Sequence, residues 1–232
     1  MSVILNFTEE EAIKLKNTWQ KYNQIGIPGK EGKCYLINNE VYKIYDTDYE
    51  LDTYTHNPIC KDDLNLESFL FPEEIYTYGK ENNVFAYKTT PYVEKDVLKI
   101  SLLRKYIIPD INKIKEALKV LIKDIYILSR NNIAAIDFAK RNLLFDGEKF
   151  YVIDTLDYDV VDEYTYLDNI DLLKRAINCY ILDCKMAYEI YGISKEEIHL
   201  DECKDLINFI NRIAIDTQEE LDTKEVQKIK RP

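Results

Sequence analysis

The sequence predicts an α+β chain of two lobes: an antiparallel-sheet N-terminal lobe over residues 1–93 and a mainly helical C-terminal lobe over 94–232. Three observations carry this. Short runs rich in β-branched and aromatic residues, separated by turn signals, fill most of the first hundred positions. From about residue 96 the apolar spacing changes to steps of three and four. Apolar residues make up 46% of the 232 positions, enough for a packed core without metal or disulfide support.

Thr8 stands three residues before Glu11 in TEEEAIKLKNTWQKY, a capping-box spacing followed by apolar residues at helical intervals, which predicts a helix over 8–22. GIPGKEGK then places Gly26, Gly29 and Gly32, three of the six glycines, within seven residues. This glycine-rich loop leads into a hairpin whose strands, CYLI and VYKIY, are joined by the turn signal Asn38-Asn39. DDLNLESFLF suits a short helix, and EIYTYG and NVFAYKTTPYV suit two further strands around KENN. After a link near 93–97, DINKIKEALKVLIKDIYILSR carries Ile111, Ile114, Leu118, Leu121, Ile125 and Leu128 on one helical face. NLLF and FYVID predict a second hairpin about Asp146-Gly147. Helices near 166–191 and 195–215 close the chain, before a charged tail from Thr217 to Pro232 expected to be partly disordered.

Composition removes several function classes. The five cysteines (Cys34, Cys60, Cys179, Cys184, Cys203) are odd in number and form no CxxC pair, which argues against a disulfide framework or a zinc knuckle. Two distant histidines, His56 and His199, give histidine metal sites and Ser-His-Asp triads little to work with. A net charge of −11, from 31 basic and 42 acidic side chains, lacks the basic footprint that nucleic acid needs. The acidity leaves two readings open: attraction of a basic acceptor, and a solvated surface that keeps the chain soluble. Charges interrupt every apolar stretch well before the length of a membrane span, and MSVILNFTEEE turns acidic where a secretory signal needs an apolar core. The expectation is a soluble cytoplasmic protein that works neither on nucleic acid nor at a membrane.

Three groups of residues have chemistry to offer. In the first, Gly29 and Gly32 would let backbone N–H groups approach phosphate oxygens without Cβ interference, although an ordinary turn uses the same residues. Lys43 forms the second; strand alternation puts it on a face with Val41 and Tyr45, opposite Tyr42 and Ile44. It reads either as an edge lysine in water or as an ammonium gripping nucleotide phosphates. The third is IDFAKRNLLFDGEKFYVID, where Asp137, Asn142 and Asp154 surround one hairpin. Hard oxygen ligands for Mg²⁺ and a carboxylate facing a hydroxyl are what phosphoryl transfer asks for; turn-capping acids at strand ends are the plainer alternative.

In this order, glycine loop, strand lysine, link, long helix, D-x₄-N, hairpin and Asp, the residues from about 25 to 160 resemble the protein-kinase-like superfamily, which includes eukaryotic-like protein kinases and the aminoglycoside and choline phosphotransferases. The resemblance implies a two-lobed kinase-like fold that takes ATP and Mg²⁺. Gly29 and Gly32 resemble the later glycines of the phosphate-covering loop, Lys43 the third-strand lysine, Asp137 the catalytic-loop aspartate, Asn142 the metal-binding asparagine and Asp154 the aspartate of DFG. YKTTPYV resembles a hinge, with Thr90 as gatekeeper and the backbone of Pro91 to Val93 against adenine. Glu67 is the candidate for the glutamate paired with Lys43, with Asp62 and Asp63 as rivals, and Lys140 and Arg141 read either as charges beside the γ-phosphate or as surface charges.

Departures from the pattern matter equally. Ile27 occupies the first glycine position of GxGxxG, with Gly26 one residue early, and Ala135-Ile136 replaces His-Arg before Asp137. Thr155-Leu156 replaces Phe-Gly after Asp154, and no APE follows. The resemblance therefore implies a compact, atypical kinase moving the γ-phosphoryl group to a hydroxyl. A protein Ser/Thr acceptor is favoured; a small-molecule acceptor and a pseudokinase or nucleotide-sensing scaffold are the alternatives.

Overall fold

A computed structural model describes residues 3–26, 31–50, 64, 66–98, 109–161 and 166–229. In chain order the elements are β1 (Val3–Phe7), α1 (Glu9–Trp19), β2 (Asn23–Ile25), β3 (Gly32–Ile37), β4 (Glu40–Glu50), β5 (Glu74–Tyr78), β6 (Asn83–Thr89), α2 (Ile111–Arg130), β7 (Ile133–Ala134), a 3-10 turn (Lys140–Asn142), β8 (Leu143–Phe145), β9 (Phe150–Val152), β10 (Asp159–Val160), α3 (Tyr166–Tyr191), α4 (Leu200–Lys204) and α5 (Leu206–Ile229). The protein is thus α+β, a six-stranded sheet followed by a mainly helical region. It forms two compact units, one of residues 1–65, 70–92 and 154–160, the other of 66–69, 93–153 and 161–232.

The first unit is built on a sheet of order β1-β5-β6-β4-β3-β2. Its pairings are antiparallel except that β1 runs parallel to β5, so the sheet is mixed where the sequence predicts an antiparallel one. β1 escapes sequence reading because a five-residue edge strand shows little alternation and its partner lies some seventy residues away. The turn between β3 and β4 uses Asn38 and Asn39, both left-handed (φ 52° and 68°), the backbone a two-residue hairpin demands.

Thr8 and Glu11 form the predicted capping box at the start of α1. The helix ends at Trp19 rather than 22, because Asn23–Ile25 pairs with β3 as β2. On one face of the sheet Ala12, Leu15 and Trp19 of α1 pack with Tyr35, Ile37, Ile44, Tyr76 and Phe85. The other face carries Tyr45, Ile75, Val84 and Tyr87, joined by Leu156 from the 154–160 segment. That segment is anchored by the Thr155 hydroxyl, which donates to the Leu70 carbonyl (3.1 Å).

In the second unit the predicted stripe of α2 is fully realised: Ile111, Ile114, Leu118, Leu121, Ile125 and Leu128 are all buried. Each such side chain contributes about 1.5–3 kcal/mol of transfer free energy. They share a core with Ile170, Leu173 and Ile177 of α3 and Leu206 and Ile210 of α5. The helix predicted over 195–215 appears as two, α4 and α5, separated at Asp205.

The tail expected to be partly disordered is instead helical as far as Ile229, and residues 230–232 lie outside the described residues. Tyr126 on α2 donates a hydrogen bond to Asp222, tying α5 beyond the point where its apolar pattern fades. The helix predicted in DDLNLESFLF is also absent from its described residues, and Phe69 bridges to Val152 of β9 in parallel. Two backbone N–H groups there, Glu67 and Ser68, donate to the buried Asp124 carboxylate (3.0 and 2.7 Å). No described helix is long and apolar enough to cross a membrane.

Candidate functional site

Strand register sets the site of the first unit. Lys43 pairs with Cys34 of β3 on one side and Tyr87 of β6 on the other, so all three side chains project from the same face. β4 is an interior strand and Lys43 is only 7% exposed, which removes the edge-lysine reading. A buried ammonium requires partners. It finds them in Asp154, with which it forms a close ion pair to Oδ1, and in Glu31, at 3.5 Å. The Tyr45 and Tyr87 rings lie within 5.1 and 5.9 Å of the ammonium and add cation–π attraction.

Asp154 itself adopts a left-handed backbone (φ 61°), uncommon outside glycine and tolerated best by Asp and Asn. The Tyr87 hydroxyl donates to the same Oδ1 (3.1 Å). Both donors thus converge on one oxygen, and among the described residues Oδ2 accepts no hydrogen bond. Burial, reinforced by the Asp154 charge, pushes the Tyr87 phenol well above its ordinary pKa, so it acts as a neutral donor. Burial likewise pushes the Cys34 thiol up to about 11, with Lys43 opposing the shift and Asp154 adding to it.

Of the two glycines, Gly29 lies outside the described residues, as do Asp62 and Asp63. Gly32 opens β3, and a Cβ there would sit 2.2 Å from the Ile44 carbonyl oxygen. Close approach of β3 to β4 is therefore what this position demands. Thr90 follows β6 directly and donates to Glu73; Pro91 is exposed.

The second unit holds the D-x₄-N loop. Ala135 N–H donates to Asn169 Oδ1 on α3 (3.0 Å), and the Asn169 amide donates to Ser129 Oγ (3.0 Å) and the Ile133 carbonyl (2.9 Å). One buried carboxamide thereby fixes the chain just ahead of Asp137. Phe138 is buried edge-on against Phe69, pinning the loop from the other side.

Asn142 sits in the 3-10 turn, with its Nδ2 donating to the Asp137 carbonyl and to Asp137 Oδ2, both at 2.9 Å. With the amide nitrogen so engaged, Asn142 Oδ1 is left with no hydrogen-bond donor among the described residues. The Arg141 guanidinium binds both Asp137 oxygens (2.5 and 2.7 Å). Lys140 is ion-paired with Asp183 of α3. Ile153 N–H donates to the Asn142 carbonyl (2.9 Å), carrying the β8–β9 pairing one residue past Val152. Asp146 is a turn residue: hydrogen bonds from the Lys149 and Glu148 backbones outweigh burial and hold its carboxyl below the usual range.

Glu67 and Val93 also belong to this unit. Glu67 pairs with Lys149 (3.5 Å), both largely exposed. Val93 keeps its backbone N–H and C=O without a partner among the described residues. Beyond it, Asp96 accepts from Leu98 and Phe145 N–H (3.1 and 3.3 Å), fastening the link to β8.

Sequence reasoning missed Tyr87, Asn169 and Asp124. Asp124 left a readable signal, a charge between Leu121 and Leu128 on the buried face of α2. Asn169 and Tyr87 left none, since each acts on a partner at least 34 positions away.

Among the described residues, no group of three or more His, Cys, Asp or Glu side chains gathers as a metal site. Mg²⁺ does not require one, because one or two protein oxygens together with substrate phosphates suffice. In the first unit Asp154 Oδ2, presented with its sister oxygen already engaged, is a donor of the hard type this ion takes; in the second unit, taken by itself, Asn142 Oδ1 is a donor of the same type. No protein-family model and no curated protein matches the chain.

Proposed function

We propose that the chain is an ATP- and Mg²⁺-dependent phosphotransferase of protein-kinase-like fold that moves the γ-phosphoryl group to a hydroxyl, with a protein Ser/Thr side chain as the favoured acceptor. The observation that carries the reading is the interior-strand Lys43 joined to Asp154, whose second carboxylate oxygen accepts no hydrogen bond among the described residues. A structural ion pair needs neither a left-handed aspartate nor a converging tyrosine. The strand order supports the reading too, because the glycine-rich segment leads into β3, next to the strand bearing Lys43.

In this reading Lys43 holds the phosphates of ATP. Asp154 Oδ2 would hold Mg²⁺, which when bound neutralises charge on the phosphates. Asp137, oriented by Asn142, receives the proton of the acceptor hydroxyl as its oxygen bonds to the γ-phosphorus. The bond between that phosphorus and the β–γ bridging oxygen breaks, and ADP leaves. Arg141 must give up part of its hold on Asp137 for this, and then carries positive charge next to the transferring group.

The clamp of Arg141 on Asp137 also favours a second reading, a nucleotide-sensing pseudokinase. Incubation with γ-labelled ATP, alone and with cell extract, separates the two. The enzyme reading expects label in an acceptor that Asp137→Ala abolishes while ATP binding persists. Binding without turnover on any acceptor supports the scaffold. Labelled protein identifies a protein kinase, and a labelled metabolite identifies a small-molecule kinase.

A further inference from the structure

Among the described residues, the Tyr87 hydroxyl is the one donor to Asp154 that has no other task in the proposed reaction. Lys43 donates to the same Oδ1, yet in the proposed function its ammonium is drawn to ATP phosphates. Once it turns, Oδ1 depends on Tyr87. The tyrosine is suited to that role: it is 4% exposed, and it stands across the β4–β6 ladder from Lys43 itself. Its ring is held against Tyr45 (centroids 6.2 Å) in the cluster with Ile75, Val84 and Leu156, which leaves the hydroxyl little freedom.

We infer that Tyr87 is a positioning residue that fixes Asp154 by Oδ1 and thereby dedicates Oδ2 to a divalent cation. The inference rests on the proposed nucleotide site. A carboxylate held at one oxygen presents the other in a single orientation, whereas a free carboxylate rotates and offers a mixture. Removing partners that orient a metal-binding side chain weakens metal affinity by about 10–100-fold.

The test is titration of Mn²⁺ against the protein saturated with ADP, with free Mn²⁺ read by electron paramagnetic resonance. Wild type, Tyr87→Phe, Tyr35→Phe and Asp154→Asn are compared. Tyr87→Phe is expected to raise the Mn²⁺ dissociation constant by about tenfold, with ADP affinity in EDTA unchanged. Tyr35→Phe, at a buried tyrosine on the opposite face of the sheet, should leave the constant near wild type. Adding Tyr87→Phe to Asp154→Asn should produce no further loss, which a merely structural role would not predict. Should Tyr87→Phe fold poorly, Tyr87→Met, which also removes the hydroxyl, must show the same ratio. Wild-type Mn²⁺ binding that Tyr87→Phe leaves unaltered overturns the role of Tyr87 while leaving the nucleotide site standing. Absence of Mn²⁺–ADP binding by wild type overturns both.

Discussion

Lys43→Met and Asp154→Asn, alone and combined, probe the pair on which the site is built. The methionine keeps the aliphatic stem and removes only the charge. The Lys43 side chain is 9% exposed and that of Asp154 27%, so the pair is dry on one side and wet on the other. At an effective dielectric near 20, two unit charges about 4 Å apart attract by about 4 kcal/mol before desolvation is charged against them. Breaking one side of a fully buried pair costs about 3–5 kcal/mol. Water at Asp154 and the surviving Tyr87 hydrogen bond reduce this, and each single variant should lose about 2 kcal/mol.

The double variant should lose less than the sum, with a coupling energy of about 1–2 kcal/mol. Urea unfolding read by Trp19 fluorescence is the assay. Trp19 is the only tryptophan and lies 5.0 Å from Tyr42 and 4.9 Å from Tyr76, so the signal reports the first unit alone. Additivity within about 0.5 kcal/mol would refute the reasoning, because independent sites behave that way.

Other outcomes follow from the same contacts. Gly32→Ala should destabilise the first unit by about 3 kcal/mol, since its Cβ meets the Ile44 carbonyl rather than a yielding side chain; Trp19-monitored unfolding checks this. Asp124→Ala should cost about 2–3 kcal/mol and expose the Glu67 and Ser68 amides to hydrogen exchange, leaving those of α2 protected. Cys34 should alkylate far more slowly at pH 8 than the exposed Cys179, as a thiol raised to about 11 is then about one part in a thousand thiolate. Its rate should climb about tenfold per pH unit until that value, which mass spectrometry of labelled peptides can follow.

Local physics was legible in the sequence. The capping box at Thr8, the Asn38-Asn39 turn and the apolar stripe of α2 each depend on residues a few positions apart, and each formed where expected. The alternation that placed Lys43 beside Tyr45 also held. What escaped was non-local. β1 takes its place only because β5 offers an edge, and α5 runs on because Tyr126 reaches Asp222. Tyr87 is one of 19 tyrosines, and only the β4–β6 register singles it out. The helix expected around Glu67 fails for a related reason: Asp124 takes the Glu67 and Ser68 N–H groups and Val152 N–H donates to the Ser68 carbonyl.

The central claim is that Lys43 and Asp154 serve a magnesium nucleotide, and calorimetric titration of Mg-ATP into wild type, Lys43→Met and Asp154→Asn tests it most directly. The account predicts one site per chain in wild type, dependent on Mg²⁺, and weakened at least about tenfold by either substitution, a loss of about 1.4 kcal/mol or more. No binding by a folded wild-type chain, or binding that neither substitution changes, would contradict it.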